Sequence, residues 1–211
     1  MKIVISGTVG VGKTTISKLL EKKLKNNYQV KLNLEIPYQN PYLSYYYKNR
    51  SEWSFLIQLD YMLNRFKALL EVEKLMKINL DSIAIFDRHF LDDFIFGSMK
   101  IIREDMSFMQ WNQYALITKT LVSRINYADH PDYFFLLQAS FENIISRINK
   151  RARKEELDVD DNYWKNLYDQ YYNNPVIVEY LKSNVKNLIY IKTDDKSPEE
   201  IVDEILTYIK K

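Results

Sequence analysis

The sequence predicts an α/β fold: a five-stranded parallel sheet flanked by helices on both faces. Three observations predict it. Five short apolar stretches read as strands, at residues 2–6, 30–34, 82–86, 133–137 and 188–191. Helical patterns separate them, which favours parallel pairing. Four of the five are nearly continuous in Ile, Val, Leu, Phe or Tyr, as strands buried on both faces are. The exception is 30–34, where Val30, Leu32 and Leu34 alternate with polar residues, so that stretch predicts an edge strand.

The helices follow from apolar spacing. Ile16, Leu19, Leu20 and Leu24 form one stripe after the first strand. Residues 52–77 carry Phe55, Leu59, Met62, Phe66, Leu69 and Leu70 at three- and four-residue steps. Residues 109–126 form a second long pattern. Ser197-Pro198-Glu199-Glu200 is a helix start, with Ser as cap, Pro in the first turn and Glu closing the box. Ile201, Ile205 and Ile209 then supply a buried face. The charged stretch 150–161 is the least core-like and reads as a mobile loop or helix end.

The chain has 211 residues, suited to one domain with a full core, and no repeat or linker divides it. Lys and Arg total 30 against 28 Asp and Glu. That balance gives no general pull toward nucleic acid or anionic membrane, and neither partner is expected. There is no cysteine, which excludes disulfides and Cys-ligated zinc. The N-terminal apolar run is too short for a signal peptide, and no run is long enough to cross a bilayer. A soluble cytoplasmic protein is the expectation.

Gly7, Thr8, Val9, Gly10, Val11, Gly12, Lys13 and Thr14 match the pattern G-x-x-x-x-G-K-[ST]. They follow a predicted strand and open a predicted helix that continues through Thr15, as phosphate binding requires. Glycines let successive backbone N–H groups face a phosphate, and the helix adds its positive end. Lys13 is expected to reach the outer phosphates and the Thr14 hydroxyl to hold Mg²⁺. A glycine turn with no ligand is the bland alternative. The register of strand, motif and helix argues against it. ATP, or another nucleoside triphosphate, is then the expected donor, while the loop alone does not distinguish a motor, a GTPase, a nucleotide kinase or a nucleoside kinase.

The phosphate acceptor is read from other residues. Glu35 ends the second predicted strand and Asp87-Arg88 ends the third, so both lie at the same carboxyl edge as the loop. A carboxylate there can take a hydroxyl proton. Asp87 is placed as a metal-side carboxylate, and Arg88 can pair with a phosphate or with Glu35. Carboxylates at strand ends are also common surface residues. The combination, rather than Glu35 alone, favours function.

With these residues in place, the sequence resembles the deoxyribonucleoside kinase family, and small bacterial deoxyadenosine kinases in particular. The resemblance covers nearly the whole chain and implies a P-loop kinase fold. It rests on the loop, on Glu35-Ile36-Pro37 with Asn40-Pro41-Tyr42-Leu43, and on Tyr47 followed by Trp53-Ser54-Phe55-Leu56-Ile57-Gln58. It rests further on Asp87-Arg88-His89, where His89 replaces a serine, and on the arginine lid Arg147, Arg151, Arg153, Glu155 and Glu156. The lid spans about 147–160. The resemblance implies that Glu35 is the base, that Tyr47 touches the sugar 3′-hydroxyl and that Gln58 reads the base edge. It also implies a homodimer packed through the two long helices. An Arg at Arg65 and an Asp at Asp93 accompany cytosine or purine preference in the family. Asp can accept from an exocyclic amino group while Arg orients it, and thymine would leave the pair unsatisfied. Phe96 stacks on the base or packs in the core. Glu156 is a candidate acceptor for a ribose hydroxyl.

Three lid arginines suit the charge that spreads over a transferring phosphoryl group. A solvated charged helix end is the bland reading of the same run. The expected reaction is phosphorylation of a deoxynucleoside, deoxyadenosine first, then deoxyguanosine or deoxycytidine. The nearest rival is a nucleoside-monophosphate kinase such as a thymidylate kinase, which needs no base at Glu35. No Asn-Lys-x-Asp motif supports a GTPase. A nucleotide sensor would have no need of Glu35 or the lid.

Overall fold

The computed structural model describes residues 1–35, 37, 40–125, 130–156 and 158–209. Ile36 of the Glu-x-Pro motif, Leu157 of the lid and the expected helix end at Asn126 lie outside the described residues.

Five parallel strands form one sheet in the order β2-β3-β1-β4-β5. They are β1 (Lys2–Ser6), β2 (Val30–Asn33), β3 (Ile83–Asp87), β4 (Tyr133–Gln138) and β5 (Leu188–Lys192). The alternating stretch does form an edge strand, β2. Successive residues Ile3, Val4 and Ile5 are fully buried, as are Phe134 to Leu137, so helices cover both faces of the central strands. The helices are α1 (Lys13–Leu24), α2 (Leu43–Lys48), α3 (Arg50–Ile78), α4 (Phe90–Ile102), α5 (Phe108–Val122), α6 (Phe141–Arg151), α7 (Asp161–Tyr172), α8 (Pro175–Asn184) and α9 (Pro198–Ile209).

Register positions the site. Ile5 lies opposite Asp87, and the Arg88 N–H continues the ladder to the Ile5 carbonyl at 3.3 Å. β3 therefore ends one residue later than the apolar run suggests, and Asp87 emerges beside the start of the phosphate loop. β2 stops at Asn33, opposite Phe86, so Glu35 stands two residues beyond the strand rather than at its last position. It still projects from the carboxyl edge.

The stripe of α1 is buried at Ile16, Leu20 and Leu24. In α3 the buried face is not purely apolar, because Ser54, Gln58 and Glu73 lie on it with Ile57, Met62 and Leu69. The cap of α9 is as expected: Ser197 N–H donates to Glu200 at 2.7 Å and Glu200 N–H donates back to the Ser197 hydroxyl at 3.2 Å. The charged stretch after α6 is indeed a helix end, followed by a single 3-10 turn at Lys154–Glu156. No helix among the described residues is long and apolar enough to cross a membrane.

Candidate active site

The phosphate loop curls tightly after β1. Gly7 has φ of +136°, and a Cβ there would come within 2.7 Å of the Leu137 carbonyl on β4, so only glycine fits. The Tyr172 hydroxyl braces this turn: it donates to the same carbonyl at 2.7 Å and accepts the Thr8 N–H at 3.2 Å. Lys13 folds back into the loop, donating to the carbonyls of Gly7 at 3.0 Å and Thr8 at 2.9 Å. Burial lowers its pKa to about 7, and the neighbouring Arg88 guanidinium acts in the same direction. A bound phosphate would supply the negative charge that this ammonium lacks. Val9 and Gly10 line the adjoining cavity, whereas Thr15 faces outward on α1.

Thr14 Oγ donates to Asp87 Oδ2 at 2.5 Å. The other Asp87 oxygen is buried without a hydrogen-bond partner. Burial raises the carboxyl pKa, and Lys13 opposes that rise. An orphaned carboxylate oxygen beside a threonine hydroxyl fits a divalent cation that takes its remaining ligands from phosphate and water. Among the described residues there is no group of three or more His, Cys, Asp or Glu that could hold a metal ion.

Opposite the loop lies a network of buried charges. Glu35 pairs through one oxygen with Arg88 Nε at 2.7 Å and through the other with Arg65. Arg88 is thus paired with Glu35, one of the two partners open to it. Arg88 holds a left-handed backbone, φ +86°, which is strained for a side chain with a Cβ. Its guanidinium donates to the Tyr171 hydroxyl at 2.6 Å and lies 4.7 Å over the Phe96 ring. Phe96 thus lines the cavity and packs on Arg88 together. The other arginine, Arg65, also bonds Asp93.

Asp93 is fully enclosed. It accepts from Gln58 Nε2 at 2.8 Å and from the Tyr114 hydroxyl at 2.6 Å, besides Arg65. Burial raises its pKa and Arg65 counters this. Tyr114 is stacked on Trp111 with centroids 5.3 Å apart. Gly97 on α4 makes room for that indole, because a Cβ at Gly97 would overlap the ring. The neighbouring Asp92 faces elsewhere, accepting from the Ser6 hydroxyl at 2.5 Å, Tyr171 at 2.8 Å and the His89 N–H at 2.9 Å. His89 itself caps α4, so the position where the family has serine serves as a helix start.

The structure brings two of the three lid arginines to the cavity. Arg151 donates to Glu156 at 2.5 Å, and Arg153 lies 3.5 Å from the same carboxylate. Arg147 is separate from them. It donates to the Val11 carbonyl at 3.1 Å and to Thr193, tying the phosphate loop to the end of β5. Four-residue spacing placed Arg147 and Arg151 on one face, but α6 runs past the loop and the nearer carbonyls take Arg147. Tyr47 lines the cavity wall, packed against Tyr46, Tyr163 and Trp164.

The family model described as deoxynucleoside kinase matches residues 3–210. The chain belongs to the deoxynucleoside kinase family. A deoxyadenosine/deoxycytidine kinase of Bacillus subtilis (strain 168) is 32% identical over 98% of this chain and 92% of its own length. A deoxyguanosine kinase of the same organism is 27% identical over 96% of this chain and 90% of its own. The solved structure of deoxyadenosine kinase from M. mycoides with bound dATP superposes with a TM-score of 0.77 at 32% identity, covering 100% of both chains. Its form with bound dCTP gives 0.76 at 30%, covering 100% of this chain and 99% of that one. The protein is a deoxynucleoside kinase, a phosphotransferase with the P-loop kinase fold.

Several residues of this kinase's cavity escaped the sequence reading. Tyr46, Tyr61, Lys100 and Tyr163 line it, and Tyr114 and Tyr171 hold Asp93 and Arg88 from behind. Lys100 carries the most chemistry. It is buried, donates to Gln58 Oε1 at 2.8 Å and to the Ser54 carbonyl at 3.3 Å, and lies 5.0 Å over the Tyr46 ring. Burial lowers its pKa to about 7, against the pull of Asp93 and Asp105. Its signal was present: a lone lysine in the apolar stretch 94–102, seven residues and thus two turns from Asp93.

Proposed function

We propose that this kinase transfers the γ-phosphate of ATP, or of another nucleoside triphosphate, to the 5′-hydroxyl of a deoxynucleoside. Deoxyadenosine ranks first, then deoxyguanosine or deoxycytidine, and thymidine is a poor substrate. The product 5′-monophosphate enters nucleotide salvage. The observation that carries this reading is the continuous ionic chain Arg88–Glu35–Arg65–Asp93–Gln58 along the cavity. That chain supports reading Glu35, toward the phosphate loop, as the base and Arg65 with Asp93 as the pair that reads the nucleobase.

Each part has a physical role. Glu35 accepts the 5′-hydroxyl proton: each carboxylate oxygen has two lone-pair sites, so one remains after each arginine is bound. Arg88 fixes that carboxylate and supports the incoming phosphate. Lys13 turns from its loop carbonyls to the outer phosphates. Arg151 and Arg153 exchange Glu156 for the developing charge on the phosphoryl oxygens, and Arg147 holds the loop that cradles the donor. Glu156, once released, accepts from a sugar hydroxyl, as Tyr47 does at the 3′ side. Mg²⁺ held at Thr14 and Asp87 would neutralise charge on the donor's phosphates. Gln58, Arg65 and Asp93 read an amino-bearing base, with Phe96 against its face.

A soluble cytoplasmic homodimer fits this reading. Leu56 and Leu63 on α3 and Met109 and Leu116 on α5 are exposed, on the two long helices expected at the interface. A monophosphate kinase is the runner-up, and Glu35 argues against it. Labelled ATP offered with the four deoxynucleosides and their monophosphates separates the two. Phosphate should appear on deoxyadenosine and not on thymidine. Labelling of monophosphates alone would overturn the reading.

A further inference from the structure

Gln58 is clamped from both ends. Its Nε2 donates to Asp93 Oδ1 at 2.8 Å and its Oε1 accepts from Lys100 Nζ at 2.8 Å. Both clamping residues come from α4, seven residues apart on one face, while Gln58 comes from α3. A carboxylate has nothing to donate and an ammonium has no lone pair to offer. Turning the amide over would set its NH₂ against the ammonium and its carbonyl against the carboxylate. The orientation is therefore imposed by the partners. Lys100 is itself held by the Ser54 carbonyl and the Tyr46 ring, so it cannot follow a turning amide.

The clamp leaves Gln58 one lone pair and one further N–H, the latter shared with the Tyr114 hydroxyl. Their order is set. Adenine and cytosine present an exocyclic amino group next to an unprotonated ring nitrogen. Guanine, hypoxanthine, thymine and uracil present a carbonyl next to a ring N–H, the reverse order. A glutamine free to turn reads both kinds, and a clamped one reads only one.

We propose that Lys100 is the positioning residue for base choice: by holding the Gln58 amide in one orientation it makes the cavity select amino-bearing edges over oxo-bearing ones. This rests on the reading of the cavity as a deoxynucleoside site. It sharpens that reading, because it separates deoxyadenosine and deoxycytidine from deoxyguanosine and thymidine by one hydrogen-bond pattern.

Matched pairs test it, since deoxyadenosine and deoxyinosine differ only at the six-position edge, as deoxycytidine and deoxyuridine do at the four-position. Steady-state kinetics are run at pH 6.5, below the value near 7 to which burial lowers Lys100. Wild-type kcat/KM should favour the amino member by about 10–100-fold, the worth of one bidentate pair. In Lys100→Met the ratio should fall about tenfold, with the change in KM more than in kcat. Lys100→Gln keeps a hydrogen bond to Gln58 but both donates and accepts, so it should relax the ratio too. A role limited to filling space would leave that second variant selective. Wild type that does not discriminate, or Lys100→Gln with an unchanged ratio, overturns the proposal while leaving kinase activity standing. Failure to phosphorylate any deoxynucleoside overturns the broader reading with it.

Discussion

The phosphate loop and the Gln58–Arg65–Asp93 end line one cavity, yet they are built from different material. The loop works through backbone: Gly7 turns where a Cβ cannot go, and its lysine, Lys13, rests on the loop's own carbonyls. The far end works through side chains drawn from α3, α4 and α5, with Gln58, Arg65, Asp93, Lys100 and Tyr114 each held by another member. A backbone cradle accepts any nucleoside triphosphate, because phosphates are alike. A side-chain network can be specific, but it must bury charge, and buried charge is tolerated only when every member is partnered. Tolerance on the donor side and selectivity on the acceptor side are what that contrast predicts.

Breaking the acceptor side alone gives the largest expected effect. Glu35→Gln should lower kcat by about 10²–10⁴-fold, the range for loss of a general base, while the affinity for ATP stays within a factor of about two. Turnover at the wild-type level would remove Glu35 as the base, and equal loss of ATP binding would show that the two sides are not separable. The next effect is on selectivity. Asp93→Ala combined with Arg65→Met should lower the purine-to-thymidine ratio of kcat/KM by roughly 5–150-fold, corresponding to about 1–3 kcal/mol for the pair thymine leaves unsatisfied. A ratio that stays put would show that base choice lies elsewhere.

A third effect is on the stability of the empty enzyme and leaves both kinetic comparisons aside. Burial lowers Lys13 from 10.5 to about 7, so between those values the unfolded chain holds a proton that the folded one has released. Stability from this group therefore rises with pH through that window, and below about 7 its burial is a steady cost. In Lys13→Met the rise should flatten, visible in melting temperatures taken from pH 6.5 to 9.5. An unaltered slope would mean that the loop, not the lysine, sets the pH response.

The same contrast explains what could be read in advance. The loop is local in sequence, so strand, glycines, Lys13 and helix were legible together. So was β2 as an edge strand, from the alternation of Val30 and Leu32 with polar neighbours. Short helices such as α2 and α7, rich in tyrosine, gave no clear apolar stripe and were not anticipated. In the site, Gln58, Arg65 and Asp93 were expected near one another, but the bond from Arg65 to Glu35 was not, because it joins α3 to a residue beyond β2. Lys100 was passed over since a lysine on a helix ordinarily carries its charge to solvent. Arg147 shared a motif with Arg151 and Arg153, and motif spacing does not reveal which carbonyls lie nearby.

Arg65 touches both the carboxylate proposed to take the proton and the carboxylate proposed to help choose the base. Its position has a consequence for how such an enzyme changes over generations. A lineage that drifts toward a new nucleoside by altering Arg65 loses a support of its reactive group in the same step. Arg88 alone then holds Glu35, so the order in which mutations arrive matters. Broadened appetite and lowered speed are then inherited together, and a laboratory search for new substrates would do better to begin at Lys100, which leaves Glu35 untouched.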